Sequence, residues 1–234
     1  MFLWGVILGR SAHIHSAAFD EYNRAVTILT QRTVVFNAHS YPAEVPPGAI
    51  IYNFENLGVQ VDPRRYAGYP VWEFSAAQVA KYPYPVTHVP VGWHPSMKTF
   101  ERLPPDQRDI DVVFCGCINE RRVKVLKEMQ GKGLKVAHLF GVYGPERDAV
   151  IARSKVALNM FYYEGGVFPA LRVAHMVANG VPVVSEACAE GWEFLESVPV
   201  ERLAAACADI ANAQDGDDGS HALKAFQAMP LSLP

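Results

Sequence analysis

Cysteine is scarce: Cys115, Cys117, Cys188 and Cys207 are four in 234 residues. That is too few for a disulfide framework in a chain of this size, and their apolar surroundings suit free thiols in a reducing compartment. Neither sign of charge is in excess. Lys and Arg number 21 against 24 Asp and Glu, a formal net charge of −3, which disfavours a chain-wide electrostatic grip on nucleic acid. Long apolar runs are missing as well. The stretch Met1-Phe-Leu-Trp-Gly-Val-Ile-Leu8 falls far short of the ~20 residues of a membrane span and lacks the basic start of a signal peptide. It reads as a first buried strand, and the expected location is cytoplasmic. The chain has neither a Gly-x-Gly-x-x-Gly fingerprint nor a Walker A loop, which argues against a nicotinamide dehydrogenase and a P-loop nucleotidase. It also has no internal repeat and no low-complexity tract.

What is present is an ordinary globular composition, 50% apolar and 19% charged, enough to bury a real core. Short apolar runs recur at Leu3–Leu8, Thr33–Asn37, Ala49–Asn53, Asp111–Cys115, Lys135–Phe140, Val156–Phe161 and Val181–Ser185, and they read as parallel strands buried on both faces. Helical spacing fills several of the gaps, at Phe19–Thr30, Glu120–Gly131, Pro145–Ser154 and Pro169–Gly180. The alternation defines an α/β class. Proline crowds residues 82–110 and marks a boundary. Residues 1–95 are then a first Rossmann-like domain, irregular after Asn53, and residues 106–214 a second. Residues 215–234 form a turn-rich hinge and a short apolar tail. The expected assembly is two Rossmann-like domains facing a cleft, the first of them reduced.

Two strand-to-helix turns carry the most chemistry. At Asp111-Val-Val-Phe-Cys-Gly116 a strand ends and a helix begins near Asn119, a good N-cap. Arg121 and Arg122 then occupy the first helical turn, where the macrodipole disfavours cations. A phosphate or pyrophosphate at that helix start would offset them. Glu120 and other carboxylates offer the competing arrangement, pairing with both arginines on a solvated surface. The second turn runs from Val156-Ala-Leu-Asn-Met-Phe161 through Tyr162-Tyr-Glu-Gly-Gly-Val167 into a helix with Pro169 at its first position and Gly180 past its end. Arg172 and His175, three apart, share one face of that helix. Gly165-Gly166 would admit close backbone approach and Glu164 would accept from a sugar hydroxyl; a plain glycine turn with Glu164 in water is the alternative.

These pieces resemble the second domain of GT-B glycosyltransferases, particularly the CgeB-like branch named after spore maturation proteins, over about residues 86–195. The parts are Val89-Pro-Val-Gly-Trp-His-Pro95, Asp111–Gly116 with Arg121-Arg122, Leu139-Phe-Gly141 with Tyr143-Gly144, Ser154–Asn159, and Pro169–Ser185. The resemblance implies a nucleotide-diphosphate sugar as donor; with Arg121 or Arg122, Arg172 and the helix starts to stabilise the departing diphosphate, no metal and no separate cofactor are expected. Its diphosphate would lie near Gly116, Arg121 or Arg122, and Arg172, and its base and ribose near Tyr143, Asn159 and the Glu164 loop. One departure stands out: where this branch often has glutamate, three residues after Arg172, the chain has His175.

The first domain would hold a hydroxyl acceptor, whether glycan, lipid-linked or small molecule, and a catalytic base. Loops after the strands at Leu3–Leu8 and Ala49–Asn53 offer His13, His15 and Glu55, and Asn37-Ala-His39 offers another imidazole. The acceptor site of so short a domain is reduced or completed by a second copy in a homo-oligomer. The rival function is a non-catalytic binder of nucleotides or sugars built on the same frame. Asp109-Ile-Asp111 mimics a metal-binding Asp-x-Asp but reads as a solvated strand start. The aromatics of Tyr66–Trp72 and Tyr82–Pro85 read as linker packing.

Overall fold

A computed structural model of the chain describes residues 5–7, 13–15, 20–30, 32–36, 38, 45–213 and 218–234. The chain divides into two compact units, one of Met1–Met97 with Leu231–Pro234 and one of Lys98–Pro230. Each is a sheet with helices, and the α/β class read from the strand pattern holds. All four cysteines are free. Among the described residues no helix is long and apolar enough to cross a membrane.

Among the described residues the first unit has six strands in chain order: β1 (Gly5–Ile7), β2 (His13–His15), β3 (Val34–Phe36), β4 (Ile50–Asn53), β5 (Val71–Glu73) and β6 (Thr87–His88). From β2 onward the strands run parallel, with α1 (Asp20–Leu29) between β2 and β3. The N-terminal strand departs from the sequence reading, because β1 pairs antiparallel with β2 at the sheet edge. Too few residues separate the two for a parallel crossover, which needs a dozen or more. His13 and His15 therefore belong to a strand and not to a loop beyond a strand end. The aromatic segment read as linker packing supplies β5, with Trp72 buried, so the sheet continues well past Asn53. Period-2 alternation separates the two faces. Val35, Ile51 and Val71 pack with Leu57, Val61, Tyr66 and Tyr82. On the other face Phe36, Tyr52 and Trp72 meet Phe54 and Tyr22, with the Tyr52 hydroxyl donating to Val89 O at 2.7 Å.

The second unit has five parallel strands, β7 (Ile110–Cys115), β8 (Val136–Leu139), β9 (Ser154–Asn159), β10 (Val183–Glu186) and β11 (Glu196–Val198), in the spatial order β11-β10-β9-β7-β8. Val112, Val113 and Phe114 are all fully buried, as a strand covered on both faces requires. Helices α3 (Glu120–Gly131) and α6 (Leu203–Asn212) cover one face, where Val125, Leu126, Met129, Leu203 and Cys207 pack on Val112, Phe114, Val156 and Leu158. Helices α4 (Gly144–Ala152) and α5 (Ala170–Ala178) pack on β9 and β10. Helix α3 starts where its cap residue predicts, with Asn119 Oδ1 accepting from Arg122 N at 3.0 Å. Helix α5 begins one residue later than the proline suggests, since Pro169 is its N-cap, and it ends before Gly180 at φ +72°, the left-handed conformation expected there. The short α2 (Ala76–Val79) lies in the first unit, and α7 (Ser220–Gln227) packs on α5 in the second.

Candidate functional site

The strand order of the second unit fixes where a ligand site belongs. Helical connections leave β7 for β8 on one side and pass to β9 on the other, so the order reverses between β7 and β9, and open α/β sheets bind ligands at the carboxyl ends of such a pair. Beyond β7 the chain turns at Gly116, with φ +149°. Its N–H donates to Leu139 O at 2.9 Å, and its carbonyl lies 2.7 Å from His138 Nε2, whose ring stacks on Phe114. A Cβ on Gly116 would stand 3.0 Å from Arg172 Nη1 and 3.5 Å from Arg122 Nη1, so only glycine lets the turn sit against both guanidiniums.

Those guanidiniums are enclosed. Arg122 is 3% exposed. Its Nη1 donates to Cys117 O at 2.6 Å, its Nη2 to Met160 O at 2.7 Å and its Nε to Phe161 O at 3.3 Å, and it lies over the rings of Phe114 and Tyr162. Arg172, in the first turn of α5, donates from Nη1 to Cys115 O at 3.2 Å and from Nη2 to Asn159 Oδ1 at 2.8 Å, and its buried Nε has no partner among the described residues. Every acceptor among the described residues is neutral. Carbonyl oxygens satisfy the hydrogens without cancelling the charge, and both arginines sit at helix starts, which adds to the positive potential. Desolvation, and then the neighbouring Arg122, pull the Arg172 pKa down to about 10. Burial likewise lowers that of Arg122.

Arg121 is placed differently. It forms a two-pronged ion pair with Glu186, the last residue of β10, and its Nη1 also donates to Phe161 O at 3.1 Å. Glu186 Oε2 accepts from Phe161 N at 2.9 Å. The carboxylate that answers an arginine here is thus Glu186 and not the neighbouring Glu120. Among the other residues singled out in the sequence, Asn159 is buried at the end of β9, with its amide donating to Ser185 Oγ at 2.9 Å. Tyr143 is the half-buried N-cap of α4, and Glu164 is exposed in the loop after β9. His175 does not accompany Arg172 to the strand ends. It is buried against α4, with Nε2 2.9 Å from Asp148 Oδ1 and its ring beside Phe100. Asp148 also accepts from Arg147 Nε and from the Thr99 hydroxyl, at 3.1 and 2.7 Å.

In the first unit the carboxyl ends of β4 and β5 carry a second polar cluster. Glu73, fully buried, accepts from Asn53 Nδ2 at 2.7 Å, Tyr82 Oη at 2.8 Å, Ser75 N at 3.0 Å and Gln78 Nε2 at 3.1 Å. Asn53 and Gln78 each donate as well to the backbone carbonyl of Glu55, both at 3.0 Å, which fixes the turn after β4. Burial pushes the Glu55 carboxyl up to about 7, the range in which a carboxylate serves as a general base near neutrality. The side chains of His13 and His15, and residues 37 and 39, lie outside the described residues. Asp109 and Asp111 are taken by Arg153 and Lys155 at the amino end of β7, which agrees with a strand start.

Glu186, Asp148, Glu73 and Gln78 were not singled out in the sequence. Glu186 directly follows a strand read as ending at Ser185, and a carboxylate at a strand's carboxyl end was the available signal. The other three become visible only once distant segments meet.

No family model matches the chain. It is 36% identical over 81 residues to the uncharacterized protein L138 of Acanthamoeba polyphaga mimivirus, a stretch that is 34% of this chain and 9% of that protein. It is 26% identical over 140 residues to protein L140 of the same virus, 58% of this chain and 40% of that one. The chain thus spans well under half the length of the curated relatives it matches. Among solved structures, sucrose-phosphate synthase from Thermosynechococcus elongatus superposes with a TM-score of 0.50 at 16% identity, covering 90% of this chain and 73% of that chain. That likeness shows the fold alone, an α/β architecture shared with that enzyme.

Proposed function

We propose that this chain is a metal-independent glycosyltransferase of the CgeB-like kind, taking a nucleotide-diphosphate sugar in its second unit and passing the sugar to a hydroxyl acceptor. The observation that carries the reading is the pair of enclosed guanidiniums, Arg122 and Arg172, at the strand-order reversal, with only neutral acceptors around them. A diphosphate against Gly116 would supply the missing negative charge, restore the Arg172 pKa and meet its unpartnered Nε. In the transfer, the bond from the anomeric carbon to the diphosphate oxygen breaks and a bond to the acceptor oxygen forms. The charge growing on the leaving diphosphate is met by Arg122, Arg172 and the starts of α3 and α5. Asn159 holds Arg172 in place, and Tyr143 and the Glu164 loop are the proposed neighbours of base and ribose. Glu55 is the base of choice for the acceptor proton, since its backbone is fixed by Asn53 and Gln78 and burial pushes its carboxyl up to about 7.

The test is titration of the chain with uridine and guanosine diphosphates, followed by turnover from a panel of nucleotide sugars with EDTA present. Binding that is lost in Arg172→Ala, with sugar release or transfer unaffected by EDTA, is the expected result. Absence of binding by every nucleoside diphosphate overturns the reading.

A further inference from the structure

The Arg121–Glu186 pair embraces the backbone of a single residue, Phe161. Arg121 Nη1 donates to Phe161 O while Glu186 Oε2 accepts from Phe161 N, so both polar atoms of one residue are clamped by one ion pair bridging α3 and β10. The same Phe161 carbonyl receives Arg122 Nε, and the preceding carbonyl, Met160 O, receives Arg122 Nη2 at 2.7 Å and lies 3.5 Å from Arg172 Nη2. The clamp therefore sets the two carbonyls that aim the uncompensated guanidiniums. Unlike Arg122 and Arg172, Arg121 already has a carboxylate, and the pair adds no net charge to the site.

We propose that Arg121 and Glu186 are positioning residues for the anion site, orienting Arg122 and Arg172 through the Met160–Phe161 backbone without touching the ligand. The inference rests on the anion-binding reading above. It assigns Glu186 a role and moves Arg121 out of direct contact with the diphosphate. A bidentate pair suits the task, because a guanidinium fork and a carboxylate fix each other's plane and the pair still has donor and acceptor capacity for the peptide.

The experiment is a double-mutant cycle read as the Kd of inorganic pyrophosphate by isothermal titration at 10 °C, on the full chain. The variants are Arg121→Met, Glu186→Gln and the double, with circular dichroism and melting temperature recorded for each. Positioning predicts that each single change weakens pyrophosphate about tenfold and that the double falls within about threefold of the weaker single, since either change opens the same clamp. In the double variant the dependence of Kd on ionic strength stays that of the wild type, as a neutral pair has been replaced by a neutral pair.

Direct contact by Arg121 gives the opposite pattern: Glu186→Gln, by freeing Arg121, binds as tightly as the wild type or more tightly, and the proposal falls. A lowered melting temperature with unchanged Kd would make the pair merely structural and also overturns it. Where a neutral variant does not fold, Glu186→Asp and Arg121→Lys replace it. Positioning predicts weaker binding in both, and unchanged binding in Glu186→Asp defeats it. Failure of the wild type itself to bind pyrophosphate or any nucleoside diphosphate counts against the site reading. A binding wild type with an additive cycle counts against the clamp alone.

Discussion

Arg172 Nη2 donates to Asn159 Oδ1 at 2.8 Å, so the last residue of β9 meets a buried guanidinium with a neutral amide oxygen where a carboxylate of the same shape would fit. The difference between amide and carboxylate decides whether the site keeps its positive charge. Asn159→Asp would convert the contact into an ion pair and cancel one of two cations. Nucleoside diphosphate binding is expected to weaken by about 10- to 100-fold, the worth of a charged hydrogen bond. The fold should survive with an unchanged or higher melting temperature. Calorimetric titration alongside thermal melting checks both.

Gly116→Ala attacks the same site from the backbone. At φ +149° an L side chain is strained, and its Cβ would stand 3.0 Å from Arg172 Nη1. A cost of about 1–3 kcal/mol in stability is expected from the backbone alone. Diphosphate binding should weaken, because Arg172 Nη1 must give by a few tenths of an ångström to admit the Cβ. Chemical denaturation and titration of the same preparation separate the two effects.

The residues that made the second unit legible are those whose signals are local. Asn119 before an apolar-periodic run predicts the start of α3, and Gly180 the end of α5, because caps answer to neighbours a few residues away. The arginines stood out for the same reason: a cation in a first helical turn conflicts with the local dipole, and the conflict is readable in one dimension. What was missed depends on contacts across the chain. β2, β5, β6 and β11 have two or three residues each, too few for a period to register, and β5 directly follows Pro70. The partner of His175 is Asp148, 27 residues earlier on another helix. Three-residue spacing correctly put Arg172 and His175 on neighbouring positions, but it could not foresee that one would reach the strand ends while the other was captured by α4.

Glu55 gives a pH signature whose sign is fixed by its environment. Burial raises its carboxyl from 4.5 to about 7 in the folded chain, so ionisation is harder folded than unfolded. Its contribution to stability is fully present below about 4.5 and is lost as pH rises through 7. Glu55→Gln, which cannot ionise, should therefore be more stable than the wild type at pH 8 and equal to it at pH 4. Urea denaturation at the two values tests this. If Glu55 is also the base, sugar transfer in the wild type rises with an apparent pKa near 7, and the Gln variant loses about 100-fold or more.

Asp148 carries the opposite sign. Burial alone would raise its pKa, but the hydrogen bond and charge of His175, the Thr99 hydroxyl and Arg147 outweigh it and hold the carboxyl at about 2, below its ordinary 3.8. A depressed pKa contributes stability above the unfolded value, and that contribution disappears as pH falls from about 4 toward 2. Asp148→Asn is thus expected to destabilise the chain at pH 7 by about 3 kcal/mol, since it removes the buried carboxylate that His175 faces and that Thr99 donates to. The gap between variant and wild type should narrow steeply as the pH is lowered toward 2, where the wild-type carboxyl is itself half protonated. Melting curves across that range check the narrowing. A gap that stayed constant would mean that the cluster is held by shape and hydrogen bonds, with no share for the carboxylate's charge.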